Sequence, residues 1–83
     1  MNKKFILYIK KECCFCTKAV KKLRDENIDF KTFLLDWRPL VWEELKDIYG
    51  WQTVPMVFEV TDEKTYKLLG GYTDLIERLD MKE

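Results

Sequence analysis

Phe5-Ile6-Leu7-Tyr8-Ile9 is an unbroken apolar run, closed on both sides by lysine pairs. A strand turns alternate side chains to opposite faces, so an all-apolar strand must be covered on both, as inside a parallel or mixed sheet. The run is too short for a signal-peptide core or a membrane span. Immediately after it, Cys16, Ala19, Val20 and Leu23 recur at helical spacing with lysines on the opposite side, which predicts an amphipathic helix ending near Asn27. Phe30 to Leu35 is a second strand. A second helix follows, with Asp36 as its cap, Pro39 in its first turn, Val41, Trp42, Leu45, Ile48 and Tyr49 as its apolar face, and Gly50 as its stop.

Met56 to Val60 and Thr65 to Leu69 read as two strands joined through 61–64 in a hairpin. Gly70-Gly71 breaks that pattern, and Thr73 and Asp74 open a last helix with Leu75, Ile76 and Leu79 on its apolar side. The order is βαβαββα, an α/β arrangement of a four-stranded mixed sheet flanked by three helices, expected to form a single domain over 1–83. The first two strands should be parallel through a right-handed crossover, with the hairpin antiparallel to them.

Three of the four residues from 13 to 16 are cysteine, in a chain with no other cysteine and no histidine. An odd number of thiols clustered in one turn is not a secreted disulfide scaffold, so the expected setting is a reducing cytoplasm. Zinc would need a fourth ligand that neither histidine nor a second C-x-x-C provides. Adjacent Cys13 and Cys14 have Cα atoms about 3.8 Å apart, too close for ordinary disulfide geometry. Residues two apart on a helix, such as Cys14 and Cys16, do not face each other. Cys13 and Cys16 share a face, and they are the redox pair. Cys13 stands at the helix start, where free N–H groups, the helix dipole, Lys10 and Lys11 favour a thiolate. Such surroundings lower a thiol pKa from about 8.5 to about 3.5–7.5. Cys16 lies on the apolar face. Cys13 is therefore the attacking sulfur and Cys16 the resolving one.

Zero net charge hides an asymmetry: residues 1–24 carry eight basic side chains and one acidic, a net +7 that the remaining residues balance. This field would favour thiolates and attract anionic partners. No basic-aromatic motif accompanies it, so no nucleic-acid partner is expected.

Lys10 three residues before Cys13, the C-C-F-C cluster itself, Thr53-Val54-Pro55, and Gly70-Gly71-Tyr72-Thr73-Asp74 occur in an order and spacing that resembles a glutaredoxin of the small bacterial or phage dithiol type. The resemblance covers nearly the whole chain. It implies the thioredoxin fold, a cis Val54–Pro55 peptide, and a Val54 backbone that pairs with the substrate backbone. It further implies that glutathione is the reducing cosubstrate, with its γ-glutamyl carboxylate on backbone N–H groups at the last helix start and its ammonium on Asp74. Phe15, Thr53, Pro55, Gly71, Tyr72 and Thr73 would complete that site, with Lys10, and Arg38 less strongly, serving the glycine carboxylate. A glycine-flanked helix start is physically suited to an anion.

The implied activity is glutathione-dependent reduction of protein disulfides and glutathione mixed disulfides by a cytoplasmic monomer with no membrane partner. Ribonucleotide reductase is a family-level candidate among the protein substrates. The chain departs from the family in having Cys14 where proline is usual and Phe15 where tyrosine is usual. Some glutaredoxins without that proline assemble a [2Fe–2S] cluster with glutathione, so a cluster carrier is the alternative reading, and no metal is expected on the first one. A thioredoxin served by its own reductase is a nearer competitor, which Lys10, the Gly70–Asp74 motif and the absent Trp-Cys-Gly-Pro-Cys pattern disfavour.

Overall fold

The computed structural model describes residues 4–80. Strand β1 (Lys4–Ile9) is followed by α1 (Cys14–Asp25), β2 (Asp29–Leu34), α2 (Pro39–Tyr49), β3 (Met56–Asp62), β4 (Thr65–Gly70) and α3 (Tyr72–Asp80). The ends of the expected 1–83 domain lie outside the described residues. The sheet runs β2-β1-β3-β4, with β1 and β2 parallel, β3 antiparallel to β1, and β4 antiparallel to β3. The apolar run is thus central, with Leu7 opposite Thr32 on one side and Val57 on the other.

The two faces of the sheet are built differently. Phe5, Leu7 and Val57 point to one face and meet Ala19 and Leu23 of α1 and Leu75 of α3, all fully buried. Burying each of the larger of these side chains stabilises the fold by about 1.5–3 kcal/mol. The opposite face is aromatic: Tyr8 stacks on Phe33, and Phe58 makes T-shaped contacts with Tyr8, Tyr49 and Tyr66 at centroid distances of 5.0–5.7 Å. Burial, with Tyr66 and Tyr49 nearby, pushes the Tyr8 hydroxyl pKa up, so the phenol stays protonated.

These rings lie on the face of the sheet opposite α1 and α3. Of the predicted apolar side of α2, Val41, Trp42 and Leu45 are half-buried, Tyr49 reaches Phe58, and Ile48 stands 69% exposed. Helix α2 therefore buries no residue fully.

Local signals set the element ends. Helix α1 stops in a left-handed turn at Asn27 (φ 56°), with Asn27 N–H donating to the Arg24 carbonyl and Ile28 N–H to the Leu23 carbonyl. This is the Schellman pattern, closed by apolar Leu23 and Ile28. Helix α2 stops at left-handed Gly50. Two expected caps are corrected. Arg38, not Asp36, precedes α2, because Pro39 is pre-organised for the first helical position and sets the start there. Asp36 instead accepts the Lys11 backbone N–H at 2.8 Å, while Leu35 N–H donates to the Ile9 carbonyl. These bonds tie the loop after β2 to the loop that delivers Cys13. Thr73 is likewise inside α3 and does not cap it: the helix begins at Tyr72, with the Gly71 carbonyl accepting from Leu75 N–H.

Candidate active site

Strand β1 ends at Ile9, and the short loop after it places Cys13 as the N-cap of α1 in extended conformation. Its sulfur accepts the Cys16 N–H at 3.1 Å, the bond a serine or aspartate side chain makes at other helix starts. No acidic residue shares the first turn of α1. Cys13 and Cys16 are joined as a disulfide with Cα atoms 5.2 Å apart. Cys13 is half-buried, whereas Cys16 is only 2% exposed and belongs to the core. Cys14 is exposed and free, and Thr17 ties its hydroxyl to the Cys13 carbonyl.

Across from the disulfide the Val54–Pro55 peptide is cis. The Val54 carbonyl oxygen lies 3.8 Å from Cys13 Sγ, close enough for a protonated thiol there to donate to it. This loop forms one wall of a groove of about 360 Å3. Thr53, Val54 and Pro55 face Gly71, Tyr72, Thr73 and Asp74 across it, and Phe15 closes the end near the cysteines. Phe15 is 54% exposed, and its ring lies 5.7 Å from that of Tyr72.

Gly70 makes the second wall possible. It has φ 132°, and a Cβ on it would collide with the Asp74 carboxylate. With no side chain there, Asp74 reaches back to accept the Gly71 N–H at 2.9 Å, which is half of a capping box. The next two amides of α3 have no intrahelical partner by construction and are oriented as anion donors.

The structure therefore brings together the cysteines and all of the expected cosubstrate residues except Lys10 and Arg38. Lys10 lies elsewhere. Its ammonium sits 5.4 Å from the centre of the Trp42 ring, and it lines a different groove on the far side of α1. Arg38 lines a depression over the aromatic face with Tyr8, Phe33 and Trp37. Trp51 is the residue the sequence reading missed. It lines the groove beneath the glycines, and its indole Nε1 is buried without a hydrogen-bond partner among the described residues. The available signal was an aromatic residue between a helix-stopping glycine and Thr53-Val54-Pro55. No group of three or more His, Cys, Asp or Glu side chains gathers as a metal site among the described residues. No described helix is long and apolar enough to cross a membrane.

A family model described as Glutaredoxin matches residues 5–63. The chain belongs to the glutaredoxin family. As a glutaredoxin it is a thiol oxidoreductase of the thioredoxin-like superfamily. The solution structure of a glutaredoxin from Brucella melitensis matches with a TM-score of 0.67 at 19% identity, covering 93% of this chain and 78% of that one. The crystal structure of the thioredoxin-like protein BC3987 matches with a TM-score of 0.66 at 21% identity, covering 90% and 93% respectively. Both show that this glutaredoxin has the thioredoxin fold. No curated protein sequence matches the chain.

Proposed function

We propose that this glutaredoxin is a glutathione-dependent reductase of protein disulfides and glutathione mixed disulfides, acting in a reducing cytoplasm. The observation that carries the reading is one groove joining the Cys13 end of α1, the cis-Pro55 loop and the start of α3 with Asp74. In the reduced protein the Cys13 thiolate attacks one sulfur of the substrate disulfide. A mixed disulfide forms, and the other substrate sulfur leaves as a thiolate that takes up a proton. The Cys16 thiolate then attacks Cys13 Sγ, which releases the second substrate thiol and forms the Cys13–Cys16 disulfide. One glutathione thiolate attacks that disulfide at Cys13 and a second frees Cys13, leaving reduced protein and oxidised glutathione. With a glutathione mixed disulfide, glutathione can free Cys13 directly.

The N–H of Cys16 that already points at Cys13 Sγ would hold the thiolate of the reduced state in place. The unpaired amides at the start of α3 suit the γ-glutamyl carboxylate, and the remaining Asp74 oxygen suits its ammonium. Val54 offers backbone groups to the peptide strand beside the reacting sulfur. The test is turnover of a glutathione mixed disulfide with glutathione as electron source, compared with turnover driven by thioredoxin reductase. Glutathione-driven turnover supports the reading, and turnover by thioredoxin reductase alone overturns it.

A further inference from the structure

The residues of the glutathione-facing groove leave a second groove, of about 390 Å3, without a role. It runs along the other side of α1, against the C-terminal ends of β1 and β2. Its apolar lining is Ile9, Val20 and Leu34, and Leu34 is 42% exposed at the sheet edge. Cys16 and Thr17 close the end next to the disulfide. Lys10, whose ammonium lies over the Trp42 ring, and Lys11, Lys21 and Arg24 border the rest.

The charge on this border is largely uncompensated. Among the described residues no carboxylate pairs with Lys11 or Arg24. Asp36 is engaged by the Lys11 backbone N–H. Lys21 meets Asp25 at 2.7 Å, but both side chains are well exposed, and such pairs exchange partners at little cost. Thr17, Lys21 and Arg24 are four and three residues apart, so they form one stripe down α1 that starts at the redox pair. From Thr17 to Arg24 the helix rises about 10 Å. That length matches about three residues of extended chain at about 3.3 Å each.

From this geometry we infer that the α1–β2 groove binds a short acidic segment, with an apolar side chain among its carboxylates, of the protein whose disulfide is reduced. The inference rests on the reductase reading for the identity of the occupant. The groove itself rests on an apolar strip that leads to Cys16, bordered by Lys11 and Arg24, which pair with no carboxylate among the described residues, and by Lys21 in an exposed pair with Asp25. It would distinguish protein substrates from one another, a task that a site for glutathione alone does not perform.

The direct test is binding of a cysteine-free peptide of glutamates interspersed with leucine to the whole protein, followed by amide chemical shifts and fluorescence anisotropy. Shifts should cluster at residues 17–24 and 34. The affinity should fall about tenfold when Lys21→Glu and Arg24→Glu are combined, as several exposed charge contacts together would give. A control that reverses the same charge elsewhere, Lys31→Glu with Lys64→Glu, should keep most of the affinity. Equal loss in both variants would show that the general positive field attracts the peptide, and the groove would be discarded. Shifts at 71–74, or no binding, would also discard it.

The second arm compares turnover of disulfide peptides whose flanks carry glutamate, glutamine or lysine. Preference for glutamate that the Lys21/Arg24 variant loses, while its turnover of a small glutathione mixed disulfide is unchanged, identifies the occupant as a substrate segment. Binding without any such preference overturns that identity. Failure of every disulfide to turn over defeats the reductase reading and the occupant with it, while the binding arm still decides the groove.

Discussion

Two helix starts face one groove, and they are capped in opposite directions. At α1 the N-cap residue reaches forward: Cys13 Sγ takes the N–H of Cys16, three residues on. At α3 the third helical residue reaches back: the Asp74 carboxylate takes the N–H of Gly71. The first arrangement keeps acids out of the turn and leaves a sulfur as the group that can carry charge there. The second places the Asp74 carboxyl group beside the amides, so an arriving ligand would meet a donor set and an acid together. On the proposed function, the same backbone end would activate a nucleophile in one helix and form a zwitterion site in the other.

The largest expected effect removes the charge-bearing atom of the first helix start. Cys13→Ser should abolish reduction of both protein disulfides and glutathione mixed disulfides, because Cys16 is buried and Cys14 lacks the cap position. Residual turnover of either substrate class above that of glutathione alone would break the comparison. Next, Cys16→Ser should lose the dithiol route and keep deglutathionylation, which needs only Cys13 and glutathione. Loss of both in a protein with an unchanged circular dichroism spectrum would mean that Cys16 does more than resolve.

The second helix start is probed by Asp74→Ala. Losing a charge-assisted hydrogen bond, worth about 1.5–3 kcal/mol, should raise the KM for glutathione by about tenfold or more with Cys13 reactivity unchanged. Gly70→Ala should imitate it from the backbone side, since its Cβ displaces the Asp74 carboxylate. That variant should also lose about 1–3 kcal/mol of stability in urea unfolding from the unfavourable φ. A normal KM in both variants would reduce Asp74 to a helix cap.

The smallest effect concerns Cys14, exposed at the first position of α1. Cys14→Ser should leave reductase turnover nearly intact. Cys14→Pro should remove one backbone donor near Cys13 and raise its thiol pKa modestly. A brown, visibly absorbing protein after anaerobic purification, with the colour lost in Cys14→Pro, would favour the cluster-carrier reading instead.

How much of this was legible in the sequence followed how local each cause is. The cysteine pairing and the α1 face could be read because residues three and four apart on a helix must share a side. The strand pairings followed from an apolar run that had to lie inside the sheet. Asn27, Gly50 and Pro39 marked helix ends through their own backbone preferences. What could not be read depends on distant contacts. Ile48 is exposed because aromatic rings from β1, β2, β3 and β4 occupy the face beneath α2. Asp36 left its expected capping role for an amide 25 residues away. Lys10 was expected with the other glutathione contacts, yet it turns to Trp42 and the far side of α1. Trp51 stands between Gly50 and Thr53-Val54-Pro55, but that local signal does not say that it will lie beneath Gly70 and Gly71.

On the proposed function, the α1 start makes Cys13 the reactive thiolate. The most direct measurement is the rate of iodoacetamide alkylation of the reduced protein against pH, with the modified cysteine located by mass spectrometry. Cys13 should react first, with a midpoint well below the ordinary thiol value of about 8.5. Alkylation that begins at Cys14 or Cys16, or a Cys13 midpoint no lower than that ordinary value, would contradict the account.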